Sequence, residues 1–158
     1  NVAGNWPGLN AERLAHEVFF PVCAPSIQNG PNPLRTPADL AHHTLLVVSS
    51  APEGWREWLA AAEEAGEEVG SLPFNNALRF DTFHSASLAA IQGIGVDLGR
   101  APLVNQALAR GELVAPFNIR VRSTASYWLL YPDVVVDLPA FLLFRDWLMR
   151  ELTLAEAE

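Results

Sequence analysis

Asp81-Thr-Phe-His-Ser85 sets an acid and two hydroxyls directly ahead of a short, largely apolar segment that ends at Ile91. That pattern opens a helix, with Asp81 or Thr82 as its cap. The first amides of a helix lack intrahelical partners and carry the positive end of its dipole. Such an end facing a cleft is a ready place for a carboxylate or phosphate group. Thr82 and Ser85 add hydroxyl donors, and Phe83 adds an apolar wall. The plainer account is that the cap satisfies the helix internally and nothing binds there; taken alone, these residues favour it.

Other candidates carry less. Cys23 is the single cysteine, and His16, His42, His43 and His84 are available as bases. A nucleophile needs a base within hydrogen-bond reach and an oxyanion site, and the spacing offers neither. In its apolar run Cys23 reads as a small buried hydrophobe. His42 and His43 are adjacent and point in different directions, and no further ligand falls at metal spacing. Gly93-Ile-Gly95 with Gly99 has the wrong spacing for a dinucleotide fingerprint. It also follows a helix and opens a strand, the reverse of the required context. Tyr127 and Trp128 alternate on a strand, so one faces the core and the other is free to line a cleft. Trp6, before Pro7-Gly8, is a core plug or a pocket wall, and both readings stand.

The composition bounds what these residues serve. The chain has 158 residues, half of them apolar, which suits one domain or two small lobes with a real core. Its net charge is −8 and it has no Lys, a surface that repels phosphate backbones. This chain is not expected to grip nucleic acid by itself. No apolar run approaches the roughly 20 residues of a membrane span, and no leader pattern is visible. A single cysteine fits a reducing compartment, so the expected location is cytoplasmic. No cofactor or metal signature appears.

The elements that must position the candidates alternate between strand and helix, which points to an α/β fold with much parallel pairing. The opening 1–9 reads as a loop. Val18–Val22 is β-prone, and Pro21 puts it at an edge or crossover. Thr36-Pro37-Ala38-Asp39 starts a helix, and Thr44–Val48 is a strand. Ser50 and Glu53 read as a capping box for a helix that presents Trp55, Trp58, Leu59 and Ala62 on one face and stops at Gly66. Leu78–Phe80 ends a strand. Gly93 ends the Thr82 helix, and Ile94–Leu98 follows as a strand. Pro102 opens a helix that Gly111 closes, Leu113–Phe117 is extended, and Ser126–Leu130 is a strand. A last helix from Asp137 carries Phe141, Phe144, Leu148 and Leu152 on one stripe. The middle of the chain suffices for a complete lobe. The flanks supply about two strands and one helix, too little to cover both faces of a parallel sheet.

Five motifs occur in one order: Trp6-Pro-Gly-Leu9, Pro21-Val-Cys-Ala-Pro25, Pro33-Leu-Arg-Thr-Pro-Ala-Asp-Leu-Ala41, Ala89-Ala-Ile-Gln-Gly-Ile-Gly-Val-Asp-Leu98 and Phe144-Arg-Asp-Trp-Leu148. Together with Ser126-Tyr-Trp128 they resemble the effector-sensing domain of LysR-type transcriptional regulators, in the subgroup of glycine-cleavage activators and β-lactamase regulators. The resemblance covers nearly the whole chain. In the family the fourth segment runs AAxxGxGVAL, which Ala89–Leu98 resembles.

The resemblance implies an α/β, type 2 periplasmic-binding-protein-like two-lobed fold with a small effector held between the lobes. Residues 21–117 would form the complete second lobe. Residues 1–20 and 118–158 would supply a crossover and the C-terminal part of the first lobe, the rest of which lies upstream. Effector contacts would come from Thr82 and Phe83 and from Ser126 and Tyr127, with Trp6 as a wall. The family often has a small polar residue where Phe83 stands, which makes this pocket more apolar. The implied activity is sensing, not catalysis. The implied partners are a small anionic or amino-acid-like metabolite, DNA through an N-terminal domain absent from this sequence, and further copies of the regulator as dimer or tetramer; no membrane partner is implied. The rival reading is a solute-binding protein of a transport system with the same lobes.

Overall fold

The computed structural model describes residues 6–72 and 74–157. The first five residues of the opening loop lie outside that range. The chain divides into two compact units, Val18–Val121 and Asn1–Glu17 with Arg122–Glu158.

The larger unit begins in strand β1 (Asn10–Val22), whose last residues belong to it, and continues through α1 (Pro25–Gln28), a 3-10 helix Pro37–His42, β2 (Leu45–Val48), α2 (Gly54–Glu64), a 3-10 turn Phe74–Asn76, β3 (Leu78–Phe80), α3 (Phe83–Ile91), β4 (Val96–Ala101) and α4 (Asn105–Ala109). Its strands lie in the order β3-β2-β4-β1. β2 runs parallel to both neighbours, with Leu46 opposite Leu78 on one side and Asp97 on the other. β1 pairs with β4 antiparallel, with Pro21 opposite Leu98; the sheet continues beyond β1 to a fifth strand, so β1 is not the edge strand that Pro21 suggested.

Alternation along the strands sorts the core into two faces. Leu45, Val47, Val96 and Leu98 pack with Trp55, Trp58 and Ala62 of α2. Leu46 and Val48 pack with Ala86, Ala89 and Ala90 of α3, and with Val104 and Leu113 around α4. The apolar face expected for α2 is therefore the buried one, and each Trp ring nitrogen has a partner: Trp55 donates to Leu46 O and Trp58 to Ile119 O, both at 3.0 Å. Gly95 allows the close approach that precedes β4, since a Cβ there would collide with the Thr44 carbonyl oxygen.

Several local expectations shift. Ser50 and Glu53 form no capping box. The N-cap of α2 is Glu53, without a side-chain cap bond, and its carboxylate pairs with Arg56 at 2.6 Å instead. Thr36–Asp39 does form the box, but the segment it opens is 3-10 rather than α. β4 starts at Val96, not Ile94, which is 51% exposed, because Gly93 and Gly95 make the turn first. The helix from Pro102 is reduced to the five residues of α4.

The smaller unit holds the first part of β1, β5 (Val121–Tyr131) beside it, a 3-10 turn Asp133–Val135 and α5 (Pro139–Ala157). Phe141 of α5 stacks on Tyr131 with ring centres 4.6 Å apart, and the Tyr131 hydroxyl donates to Glu12. The expected stripe of α5 is split: Phe141, Leu148 and Leu152 are half-buried, whereas Phe144 is exposed alongside Leu143 and Trp147.

Candidate functional site

Thr82 is the cap of α3. It has extended backbone, and its Oγ1 accepts from the Ser85 amide at 3.2 Å. The Ser85 hydroxyl returns to the Thr82 carbonyl oxygen at 3.0 Å. Of the two caps the sequence allowed, the structure uses Thr82, which is exposed. The amide end of a nine-residue helix therefore reaches the surface of the larger unit with two hydroxyls on it.

Phe83 follows as the first residue of α3, and its ring lies over the Arg100 guanidinium, 4.2 Å from ring centre to Cζ. Arg100 is 8% exposed and also lies 5.3 Å from the centre of Phe19. Beside it is Asp97, 2% exposed, which accepts from Ser87 Oγ of α3 at 2.9 Å. Burial pushes the Asp97 carboxyl up to about 6, against opposing effects of the Ser87 hydroxyl, the Leu98 amide and the Arg100 charge.

Phe83 and Arg100 meet near the point where the chain leaves two neighbouring parallel strands for opposite faces of the sheet. After β2 it turns to α2 on one face, and after β4 to α4 on the other. Such a divergence opens a crevice at the carboxyl ends of the strands, the usual ligand position in α/β sheets. A small hollow lies there, with room for about one water molecule, bordered by Val48, Ala51, Trp55, Phe83, Asp97 and Arg100. A Cβ on Gly54, the first residue of α2, would lie 2.9 Å from Leu98 and 3.5 Å from Arg100 Nη2, so the start of α2 is packed onto the same corner.

The sequence reading missed Asp97, Ser87 and Arg100. The available signal was an acid and a base inside an otherwise apolar strand segment, since charged residues are seldom fully buried without partners.

The remaining candidates belong to the smaller unit. Ser126 and Tyr127 lie on β5 and are half-buried. The Ser126 hydroxyl is 3.5 Å from His16 Nδ1 on β1. Trp6 packs on Trp128, with ring centres 5.5 Å apart and planes tilted by 60°. That contact makes Trp6 part of an aromatic pair on this unit.

Cys23 is fully buried, and burial raises its thiol to about 11. It is thus held as a thiol, not a nucleophilic thiolate. Among the described residues there is no cluster of His, Cys, Asp and Glu that could hold a metal ion, and no helix long and apolar enough to cross a membrane.

A sequence profile described as the LysR substrate binding domain matches residues 2–153. The chain belongs to this family. The domain is 37% identical over 149 residues to the glycine cleavage system transcriptional activator of Escherichia coli K12, covering 92% of this chain and 46% of that protein. It is 35% identical over 154 residues to the transcriptional activator AmpR of Pseudomonas aeruginosa, covering 98% and 49%. The chain thus spans about half the length of the curated relatives it matches. Among solved structures, the effector domain of AmpR from Pseudomonas aeruginosa superposes with a TM-score of 0.72 at 32% identity, over 96% of this chain and 69% of that one. The AmpR effector binding domain of Citrobacter freundii gives 0.70 at 27% identity, over 95% and 70%. The fold is that of LysR effector-binding domains, the type 2 periplasmic-binding-protein-like α/β fold. The relatives are transcriptional regulators, and the family is not enzymatic.

Proposed function

We propose that this chain is the effector-sensing part of a LysR-type DNA-binding regulator. It binds a small anionic or amino-acid-like metabolite and answers with a change of conformation. The observation that carries this reading is the match of residues 2–153 to the LysR substrate binding domain. The chemistry of the larger unit supports the ligand class. The Thr82-capped amide end of α3 favours negative charge, and its two hydroxyls can donate to such a group.

Thr82, Phe83, Ser126, Tyr127 and Trp6 are the effector contacts in this proposal. The lobe assignment is part of it too, with residues 21–117 as one lobe and the flanks as part of the other. Two features support it: the division of the chain near residues 18 and 121, and the apolar stripe that α5 leaves exposed at Leu143, Phe144 and Trp147. DNA contact is assigned to an N-terminal domain of the whole regulator, which works in the cytoplasm as a dimer or tetramer. No bond is made or broken. The effector shifts a conformational balance by its unequal affinity for the two states.

The test is a thermal-shift screen of the intact regulator against amino acids and small carboxylates, since a ligand raises apparent stability. Hits are followed by promoter-binding assays on Thr82→Ala and Tyr127→Phe. The proposal expects a blunted ligand response with DNA binding kept. A full response in both variants rejects the contact residues, and no hit across the screen rejects the ligand class.

A further inference from the structure

Asp97 is a buried charged group that effector contact leaves without a role. It lies on the sheet face that α3 covers, opposite Val22 of β1 and Leu46 of β2. Phe83 and Ser87 are four residues apart on α3 and so share one stripe of the helix. Each meets β4: Phe83 lies on Arg100, and Ser87 Oγ donates to Asp97. Two successive turns of α3, beginning at its Thr82 end, are thereby tied to the two charged residues of one strand.

We propose that Asp97 is a positioning residue for the effector site: through Ser87 it holds α3 against β4, and the strength of that hold follows the proton concentration. The inference rests on the reading that the Thr82 end of α3 meets the effector. An ionised carboxylate accepts the Ser87 hydroxyl in a charge-assisted hydrogen bond, which is shorter and roughly twice as strong as the neutral one. The protonated acid returns Ser87 to an ordinary bond.

The surroundings make Asp97 the group that titrates. Its carboxyl is pushed up to about 6, with desolvation as the largest cause. The charge that bears on it is Arg100, from its own strand. α3 presents Ser87, with His84 exposed one turn earlier; β1 and β2 present Val22 and Leu46, and α2 brings Trp55 to the same hollow. The hold of α3 is tight above about pH 6 and slack below it.

The experiment is an NMR titration of the full chain without ligand from pH 4.5 to about 8, following the Asp97 carboxyl carbon and the amides of α3. The expected result is that amides of α3 shift together with the carboxyl, with a midpoint near 6. Asp97→Asn should abolish that shared shift. Ser87→Ala should leave the carboxyl titrating while α3 no longer follows. Both variants are close to isosteric, and the wild-type titration decides alone if either fails to fold. An α3 indifferent to the Asp97 titration, or one that still follows it in Ser87→Ala, overturns the proposal. No ligand is present, so this outcome is separate from whether Thr82 contacts an effector.

Discussion

The Arg100 guanidinium lies 4.2 Å from the centre of the Phe83 ring, and this contact joins the end of β4 to the start of α3. A cation over an aromatic face contributes about 0.5–2 kcal/mol, more as water is excluded. Phe83→Leu keeps much of the apolar area and removes the ring. It should cost about 1–2 kcal/mol by chemical denaturation, and Arg100→Met should remove the same coupling in a double-mutant cycle. Additive effects of the two substitutions would mean the contact is not energetic.

Asp97 makes stability fall as pH rises. Its carboxyl holds the proton more tightly in the folded chain, with the value moved from 3.8 to about 6. Between those values the folded state carries more protons than the unfolded state, so each increment of pH favours unfolding, and the loss is complete above about 6. One pH unit of displacement corresponds to about 1.4 kcal/mol, so the ionised form costs on the order of 2–3 kcal/mol. Urea unfolding at pH 5 and pH 7.5 should show the chain weaker at the higher pH. Asp97→Asn should be stabilised at pH 7.5 and should flatten the profile.

Gly95 has no room for a side chain, because a Cβ would meet the Thr44 carbonyl oxygen and the Leu46 side chain. Gly95→Ala must therefore push β4 from β2 at the pairing of Leu45 with Val96. A loss of about 2 kcal/mol or more is expected from such overpacking. Gly111→Ala, where nothing lies within 4 Å but φ is +70°, should cost about 1 kcal/mol from backbone strain alone.

Thr82→Ala removes the acceptor of the Ser85 amide. Loss of such a cap costs about 1 kcal/mol, and Thr82→Ser should restore it. In the intact regulator the same Ala variant should weaken effector response beyond what its stability loss explains. Ligand titration at a temperature where both proteins are fully folded separates the two effects.

Local chemistry made several elements legible. Thr82 with Ser85 marked the start of α3, positive-φ positions at Gly66 and Gly93 marked helix ends, and the spacing of Trp55, Trp58 and Ala62 marked the buried face of α2. Each rests on neighbours within one or two turns. The failures have a common cause. Ser50 and Glu53 matched a capping pattern, but the turn before Gly54 leaves Glu53 as a cap without a side-chain bond. Phe144 fitted the apolar stripe of α5, yet the turn of the helix that faces Tyr131 carries Phe141 instead.

The ordered motifs carried the resemblance to the family, and the alternation of strand and helix pointed to the α/β class, because motif order and short-range periodicity are properties of the chain itself. The Asp97–Ser87 bond and the Arg100–Phe83 stack needed the fold. Their partners are 10 and 17 positions apart in sequence (97 − 87 and 100 − 83). They meet only because α3 crosses the sheet over β2 to return the chain to β4. The strand order β3-β2-β4-β1 is a long-range arrangement that no local pattern encodes, and it alone brings an acid, a base and a helix end to one crevice.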